Sequence, residues 1–230
     1  MKREYWIGIV VAALVVVGVV VGISLAGGGG DDDAPTSITG TEEVQAQLDG
    51  VPQAGNVLGD ADAPVEVIEY GDLACPACQL ASETTVPEVL DSLVKTGDAK
   101  LVFRPIAFIS RSSERGAFGA EAAGAQDAMW SFVGLIYRNQ GPESDQDWLT
   151  DELMEEAVTS LGLDLEQWQA DYAGTEAEQS LLENTSLAEQ DEVSVTPTFL
   201  VRGPGGERSL SGAVEASELE AAVAEVGPQT

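Results

Sequence analysis

The order of apolar and polar positions predicts strands and helices that alternate along most of the chain. "VEVIEY" at 65–70 alternates apolar with acidic positions and is rich in β-branched and aromatic residues, which is typical of a half-buried strand. The further predicted elements are a helix from the cysteines of "ACPAC" towards Lys95, a strand over 99–108, a helical block over about 112–190, a strand over 196–203, a partner strand in "ERSLSG" and a closing helix in "EASELEAAVAEV". This order predicts an α/β domain with a helical insertion.

An N-terminal apolar run predicts a membrane anchor. Residues 7–26 contain no charged side chain and are long enough to cross a hydrocarbon core of about 30 Å. Lys2 and Arg3 precede the run, and because positive charge stays on the cytoplasmic side, the rest of the chain is expected outside the cytoplasm. We therefore interpret residues 1–26 as a single-pass anchor in the cell membrane. A signal peptide that is cleaved after "SLA" at 24–26 is the alternative.

The segment that follows the anchor is rich in Gly and acidic residues and poor in large apolar side chains. Residues 27–54 are therefore predicted to form a flexible acidic linker, with one short helical stretch near Thr41 to Leu48. The remaining residues, about 55–226, are enough for one domain with a good core.

The charge of the chain excludes some partners. Forty acidic and 10 basic residues give a formal net charge of −30. Such a surface repels nucleic acid and anionic membrane faces. The same excess is typical of proteins from a salt-loving host, where screening weakens the repulsion, and also of an ordinary acidic surface. Both interpretations stay open.

The chain has only two cysteines, Cys75 and Cys78, and no histidine. A structural disulfide across so short a loop would contribute only about 2 kcal/mol and would be strained. A structural zinc site needs four Cys or His ligands, which this chain cannot supply, so no metal is expected. Two inert buried thiols are a further alternative, but Pro76 between them indicates an exposed helix start. The pattern favours a dithiol that cycles between reduced and oxidised forms.

Four stretches of the chain share a pattern that extends well beyond the two cysteines. They are "APVEVIEYGDLACPAC" at 63–78, "LVFRPIAF" at 101–108, "LIYRNQ" at 135–140 and "VTPTFLV" at 195–201. Together they resemble the thioredoxin superfamily and, within it, the DsbA-like thiol–disulfide oxidoreductases. The resemblance covers about residues 55–226. It implies a thioredoxin fold with an inserted all-helical subdomain, because the segment between Cys75 and Pro197 contains too many residues for plain thioredoxin.

The resemblance also implies an activity and partners. We expect an extracytoplasmic enzyme that introduces disulfides into exported proteins through its Cys-Pro-Ala-Cys dithiol, without a cofactor. Its expected partners are reduced or unfolded exported proteins and a membrane redox partner of the DsbB or vitamin K epoxide reductase-like type. We expect a monomer that does not bind nucleic acid.

The chemistry of exchange assigns different roles to the two thiols. A thiolate must attack a disulfide sulfur, so one cysteine must be exposed and acidic. Cys75 stands at the start of a predicted helix, where unpaired N–H groups and the helix dipole favour its thiolate. Pro76 suits the first helical turn because it has no N–H to leave unpaired. Cys78 lies one turn further along, where burial keeps it a thiol. Cys75 is therefore the expected nucleophile and Cys78 the resolving thiol.

The resemblance assigns further residues to the site. Pro197 is the cis proline that faces the dithiol, and with Thr196 it is expected to pair with a substrate strand. Pro76 and Ala77 are expected to contact the substrate as well. Glu69, six residues before Cys75, matches the family's buried acid, which exchanges a proton with the resolving thiol. An ordinary trans proline and a solvent-facing glutamate are the alternatives for Pro197 and Glu69.

Two further expectations concern acidity near the dithiol. Asp72 is interpreted as a solvated loop acid or a helix-entry residue. Ala77 stands where the best-known DsbA proteins carry a histidine that stabilises the reactive thiolate. Without that histidine, the helix dipole and backbone N–H groups are expected to lower the pKa of Cys75 to about 5.5–7, rather than to about 3.5.

Other functions remain as alternatives. The same dithiol could run as a disulfide reductase or isomerase, although residues 27–54 are too short and polar for the dimerisation domain that isomerases of this superfamily usually add. A binding module, such as a thioredoxin-fold copper or substrate chaperone, is less favoured because histidine ligands are absent. A non-catalytic partner beside a transporter is the last alternative. The reduction potential of the dithiol discriminates between the oxidase and reductase directions.

Overall fold

A computed structural model describes residues 34–228 of the chain. The predicted anchor, residues 1–26, and the first part of the predicted linker lie outside the described residues. Within residues 34–228 there is no helix both long and apolar enough to cross a membrane.

The domain is built on one mixed sheet of six strands. Its strands are β1 (Gln53–Ala54), β2 (Val57–Leu58), β3 (Val65–Gly71), β4 (Ala99–Pro105), β5 (Thr198–Gly203) and β6 (Gly206–Ser211). The order across the sheet is β1-β2-β4-β3-β5-β6. The central pair, β3 and β4, is parallel, and the other neighbours pair antiparallel. The short β1–β2 hairpin was not predicted from the sequence.

Nine α-helices accompany the sheet in the described part of the chain. They are α1 (Thr41–Leu48), α2 (Pro76–Glu83), α3 (Thr85–Val89), α4 (Arg111–Gly124), α5 (Met129–Arg138), α6 (Asp151–Ser160), α7 (Leu165–Tyr172), α8 (Thr175–Gln190) and α9 (Ala216–Val226). A π-helical turn over Leu90–Val94 follows α3, so the helix predicted towards Lys95 is present but divided. Helices α4 to α8 confirm the helical insertion predicted over about 112–190, and the whole is the predicted thioredoxin fold with that insertion.

The two faces of the sheet carry separate apolar clusters. Because side chains alternate along a strand, Val65 and Val67 point to one face of β3 while Ile68 and Tyr70 point to the other. The larger cluster also includes buried side chains of helices α1 to α7 and α9. The smaller cluster, on the Ile68 face, includes Ala188 of α8. By the same alternation Glu69 points into the larger cluster.

The prediction of a flexible linker over 27–54 is wrong for its described part. Helix α1 has the predicted position, but it packs on the domain through Val44 and Leu48, which are only 5% and 7% exposed. The segment before it is held by the buried side chain of Asn139. This amide accepts hydrogen bonds from the backbone N–H and the hydroxyl of Thr39, at 2.9 and 3.1 Å, and donates one to the Thr39 carbonyl at 2.9 Å. Composition missed this docking because its partner lies 100 residues further along the chain.

Candidate active site

The dithiol lies where β3 leads into α2. The strand ends at Gly71, a tight turn follows, and the N–H of Cys75 donates to the Asp72 carbonyl at 2.9 Å. Cys75 is the N-cap residue of α2 and Pro76 is in its first turn, as predicted. Cys78 lies one turn into the helix. Both cysteines are free thiols; Cys75 is 7% exposed and Cys78 is fully buried. Cys75 is therefore the more accessible thiol, although it is less exposed than expected.

The surroundings separate the acidities of the two thiols. A hydrogen bond from the Cys78 thiol is the main cause that lowers the pKa of Cys75 to about 6, against the opposing effect of burial. The Thr196 hydroxyl and the backbone N–H groups of Cys78 and Ala77 lower it further. Burial, followed by the hydrogen bond to Cys75 and the charge of Glu69, raises the pKa of Cys78 well above its ordinary value. The value for Cys75 agrees with the range expected without a histidine at Ala77.

A proline loop faces the sulfur of Cys75. The Thr196–Pro197 peptide bond is cis, as predicted. The carbonyl oxygen of Thr196 lies 3.4 Å from Cys75 Sγ and can accept a hydrogen bond only from the thiol form. The Thr196 hydroxyl acts in the opposite direction and favours the thiolate. Pro197 leads into β5, an internal strand between β3 and β6 whose first four residues are buried, so the loop is anchored to the sheet. The two thiols, Thr196 and Pro197 are thus brought together.

Glu69 lies inside the larger core and is 1% exposed. Its neighbours across the sheet are Phe103 of β4 and Phe199 of β5, both buried. Burial is the main cause that raises the pKa of Glu69 to about 8, and the negative charge of Cys75 raises it further. Within the described chain its Oε1 atom has no hydrogen-bond partner. A buried carboxyl of this kind keeps its proton at neutral pH and can exchange it with a neighbour.

The expectation that Asp72 is solvated is wrong. This residue is fully buried, and its carboxylate accepts backbone hydrogen bonds from Ala74 at 2.9 Å, Phe108 at 3.1 Å and Ile109 at 3.4 Å. The carboxylate therefore joins the turn before the dithiol to the loop after β4. Burial raises the pKa of Asp72, while the Ser113 hydroxyl and these N–H groups act against that rise. No local pattern distinguishes such a residue from an ordinary turn aspartate, because its partners come from distant segments.

Two residues of "LIYRNQ" contact the dithiol region and were not assigned a role from the sequence. The Gln140 amide donates to the carbonyls of Leu73 at 2.8 Å and Cys75 at 3.2 Å. The hydroxyl of Tyr137, a fully buried residue, donates to the Asp72 carbonyl at 3.3 Å. Burial and then the charge of Cys78 raise the pKa of Tyr137 well above its ordinary value. The only signal in the sequence was that "LIYRNQ" belongs to the family pattern, and this pattern does not tell which groups the two residues contact.

The remaining predicted site residues lie between the two cysteines, in the first turn of α2. Pro76 is exposed and Ala77 is half-buried. Their substrate contacts stay a prediction. Within residues 34–228 no group of three or more Cys, His, Asp or Glu residues could hold a metal ion.

Comparison with known proteins agrees with this geometry. A family model described as thioredoxin matches residues 53–225. The probable disulfide bond formation protein D of Bacillus anthracis is 32% identical over 150 residues, which cover 64% of this chain and 69% of that protein. The crystal structure of oxidised BdbD from Bacillus subtilis is similar with a TM-score of 0.66 at 22% identity, over 76% of this chain and 96% of the other. The DsbA of Chlamydia trachomatis has a TM-score of 0.65 at 19% identity, over 74% and 90%.

Four observations point to the same family. The dithiol follows a buried strand, and it lies in a Cys-Pro-Ala-Cys helix start in which one thiol has a lowered pKa. A cis proline faces it, and the family model matches most of the domain. The chain therefore belongs to the thioredoxin family, as a DsbA-like thiol–disulfide oxidoreductase.

Proposed function

We propose that the enzyme works as an oxidase, which introduces disulfides into exported proteins outside the cytoplasm. The observation that carries this proposal is the geometry around Cys75: its sulfur lies at the start of α2 and receives hydrogen bonds from the Cys78 thiol, the Thr196 hydroxyl and the backbone N–H groups of the first turn. This arrangement stabilises the Cys75 thiolate, and a dithiol whose reduced form is stabilised gives an oxidising disulfide. The names of the relatives, disulfide bond formation protein D, support the same direction.

The proposed cycle transfers two electrons from the substrate to the dithiol. A substrate thiolate attacks Cys75 Sγ of the oxidised enzyme, the bond to Cys78 breaks, and the leaving Cys78 thiolate takes a proton from Glu69. A second substrate thiolate then attacks the substrate sulfur of the mixed disulfide. This step forms the substrate disulfide and releases Cys75 as a thiolate, which is the better leaving group because its pKa is low.

The other residues of the site are proposed to hold the substrate. An extended segment would lie beside Pro197 and Thr196 and pair with the backbone there, as a strand added to a sheet edge does. Pro76 and Ala77 would contact the residues next to the substrate cysteine. Both are accessible in the structure, whereas Cys78 is not.

The location and partners are part of the proposal. Residues 1–26 would anchor the enzyme in the cell membrane, with the domain on the outer side. There a membrane protein of the DsbB or vitamin K epoxide reductase-like type would reoxidise the dithiol. Compartments outside the cytoplasm are where disulfides form and persist.

Trapping of intermediates tests the roles of the thiols. Cys78→Ser should accumulate a mixed disulfide with a model substrate that carries a disulfide: the Cys75 thiolate attacks that disulfide and releases one substrate thiolate, and the resolving attack by Cys78 is absent. Cys75→Ser should trap almost none. The adducts are counted by mass spectrometry of the denatured, alkylated protein. Equal trapping by the two variants would contradict the assignment.

The reduction potential tests the direction. We expect a value between that of the strongest oxidant of the superfamily, about −120 mV, and that of thioredoxin, about −270 mV. The measurement is equilibration of the dithiol with glutathione buffers. A potential at or below that of thioredoxin would favour a reductase.

A further inference from the structure

The C-terminal end of α5 lies against the turn that carries the dithiol. Just after the helix, the Gln140 amide donates to the carbonyl of Leu73 at 2.8 Å and to the carbonyl of Cys75 at 3.2 Å. Three residues earlier, the Tyr137 hydroxyl donates to the Asp72 carbonyl at 3.3 Å. Side chains from this one end of α5 therefore bind three backbone carbonyls of the short turn between β3 and α2.

The Cys75 carbonyl is also the first acceptor in the hydrogen-bond ladder of α2. It accepts from the N–H groups of Cys78 and Gln79, both at 3.1 Å. The backbone N–H groups of Ala77 and Cys78 act as donors towards the Cys75 sulfur and lower its pKa. The backbone conformation that Gln140 holds at Cys75 is thus the one that places the sulfur at the donors of the helix start.

The two carbonyls bound by Gln140 would otherwise work against the thiolate. A carbonyl oxygen has a negative partial charge, and a hydrogen-bond donor offsets that charge. Leu73 is fully buried, so its carbonyl would lose free energy if it had no donor. Because Gln140 supplies this donor, the N–H groups of the first helical turn stay available to the Cys75 sulfur.

The backbone that carries Gln140 is fixed from its other side. Asn139 is 7% exposed, and its amide donates to the carbonyls of Leu135 at 2.8 Å and Thr39 at 2.9 Å. It also accepts the N–H of Thr39 at 2.9 Å. Gln140 therefore follows a residue that is tied both to α5 and to the segment before α1. A side chain placed in this way can hold a reactive group in one geometry.

We propose that Gln140 is a positioning residue for thiol–disulfide exchange: its amide binds the carbonyls of Leu73 and Cys75, and this keeps the Cys75 sulfur at the N–H groups of the first turn of α2. The residue acts through the backbone and does not need to contact the substrate. Its meaning for catalysis rests on the proposed role of Cys75 as the attacking thiol, but its effect on Cys75 is measurable without turnover.

Removal of the amide tests this role. Gln140→Met keeps a side chain of similar length but has no N–H donor. We expect the pKa of Cys75 to rise from about 6 by about 0.5 unit, the size of a single interaction at a helix end. Thiolate absorbance of the reduced protein against pH measures it, and Cys78 does not interfere because its pKa is raised well above its ordinary value. At about pH 7 the equilibrium with glutathione should shift about two- to threefold towards the disulfide.

Gln126 offers a matched control, because its half-buried amide makes the same type of bond away from the dithiol. Its Nε2 donates to the carbonyl of Asp164, the N-cap residue of α7, at 3.0 Å. Gln126→Met should also lose folding stability, since it too leaves a carbonyl without this donor. It should leave the pKa of Cys75 within about 0.1 unit of wild type.

A second variant keeps the test decisive. Gln140→Asn retains an amide but is one methylene shorter, so the amide cannot reach both carbonyls, and the pKa of Cys75 should again rise. Gln140→Met decides if circular dichroism and urea unfolding show that it folds, and Gln140→Asn decides if it does not.

The outcomes separate this role from the proposed function. A rise of the Cys75 pKa by less than about 0.3 unit, an equal rise in Gln126→Met, or an unchanged equilibrium with glutathione would overturn the positioning role. The oxidase direction is tested independently, by the reduction potential of the wild-type enzyme. A potential at or below that of thioredoxin would remove the direction, whereas the difference between Gln140→Met and wild type would still hold.

Discussion

Glu69 and Tyr70 are neighbours on β3 but face opposite cores with opposite polar surroundings. The Tyr70 hydroxyl donates to Asp191 and accepts from Arg104, both at 2.6 Å. Asp191 in turn binds Arg202 at 2.7 Å. Glu69, one residue earlier, has an oxygen without a partner in the described chain and lies between two phenylalanines across the sheet.

The two neighbouring residues therefore contribute differently: Tyr70 contributes to stability, and Glu69 contributes to the proposed reaction. On the Tyr70 face every named polar group has a partner, so burial there carries little penalty and holds α8's C-terminal end to the sheet. On the Glu69 face the carboxyl has an oxygen without a partner in the described chain, which costs stability, and in the proposed cycle this carboxyl exchanges a proton with Cys78. A buried acid with a strongly raised pKa beside a thiol is more typical of a reaction site than of a stabilising core.

The largest expected effect is that Glu69→Gln removes the pH dependence of stability that the buried carboxyl causes. The unfolded chain releases the Glu69 proton near pH 4.5, whereas the folded chain keeps it to about pH 8. The folded state therefore binds more protons between these values, and its stability falls as pH rises through this window. Glutamine cannot ionise, so the variant should gain up to about 5 kcal/mol relative to wild type between pH 4 and pH 9, at about 1.36 kcal/mol per pKa unit.

Urea unfolding of the reduced protein across this pH range measures the gain. The oxidised protein is the control: it lacks the Cys75 charge, which is the second cause of the raised pKa of Glu69, so the gain should be smaller there but still present. A pH-independent difference between Glu69→Gln and wild type would show that the carboxyl titrates normally.

A smaller effect is expected for Asp72, the second buried acid near the dithiol. Asp72→Asn exchanges one acceptor oxygen for a donor that cannot serve the N–H groups of Phe108 and Ile109. We expect a loss of about 1–3 kcal/mol in the free energy of unfolding. Asp60→Asn is the matched control, because exposed Asp60 makes the same type of bond, to the N–H of Asp62 at 2.9 Å, and asparagine can replace it there. Equal losses in the two variants would mean that Asp72 is only a turn residue.

The smallest expected effect on stability comes from removing one tyrosine hydroxyl from each of the two apolar clusters, in Tyr70→Phe and Tyr137→Phe. Tyr70→Phe removes one hydroxyl from a network that keeps its ion pairs, so it should cost about 1 kcal/mol and leave the pKa of Cys75 unchanged. Tyr137→Phe removes a hydroxyl that donates to the Asp72 carbonyl and interacts with Cys78, so it should also change thiol titration. Thiolate absorbance against pH distinguishes them. A shift of the Cys75 pKa in Tyr70→Phe would contradict the separation of the two faces.

Local patterns were sufficient for much of the fold and for the reacting groups. The alternation of Val65 and Val67 with Glu66 predicted β3, and Pro76 marked the start of the helix that carries the dithiol. Pro197 was assigned to the facing loop through the family pattern, and the structure has a cis bond there. Such features are predictable because strand period and helix-start chemistry are written in a few adjacent residues.

The sequence by itself therefore determined the thioredoxin fold with its helical insertion and the pair of thiols that react. Only the tertiary structure decided that Asp72 is buried and that Tyr137 and Gln140 donate hydrogen bonds to the backbone next to the dithiol. It also decided that α1 lines a cavity whose walls include Glu69. The physical reason is that the burial and pKa of an acid depend on which distant segments cover it and which donors they bring. An acidic, Gly-rich stretch is predicted to be a linker from its composition, because the Asn139 amide that binds it through Thr39 lies 100 residues further along the chain.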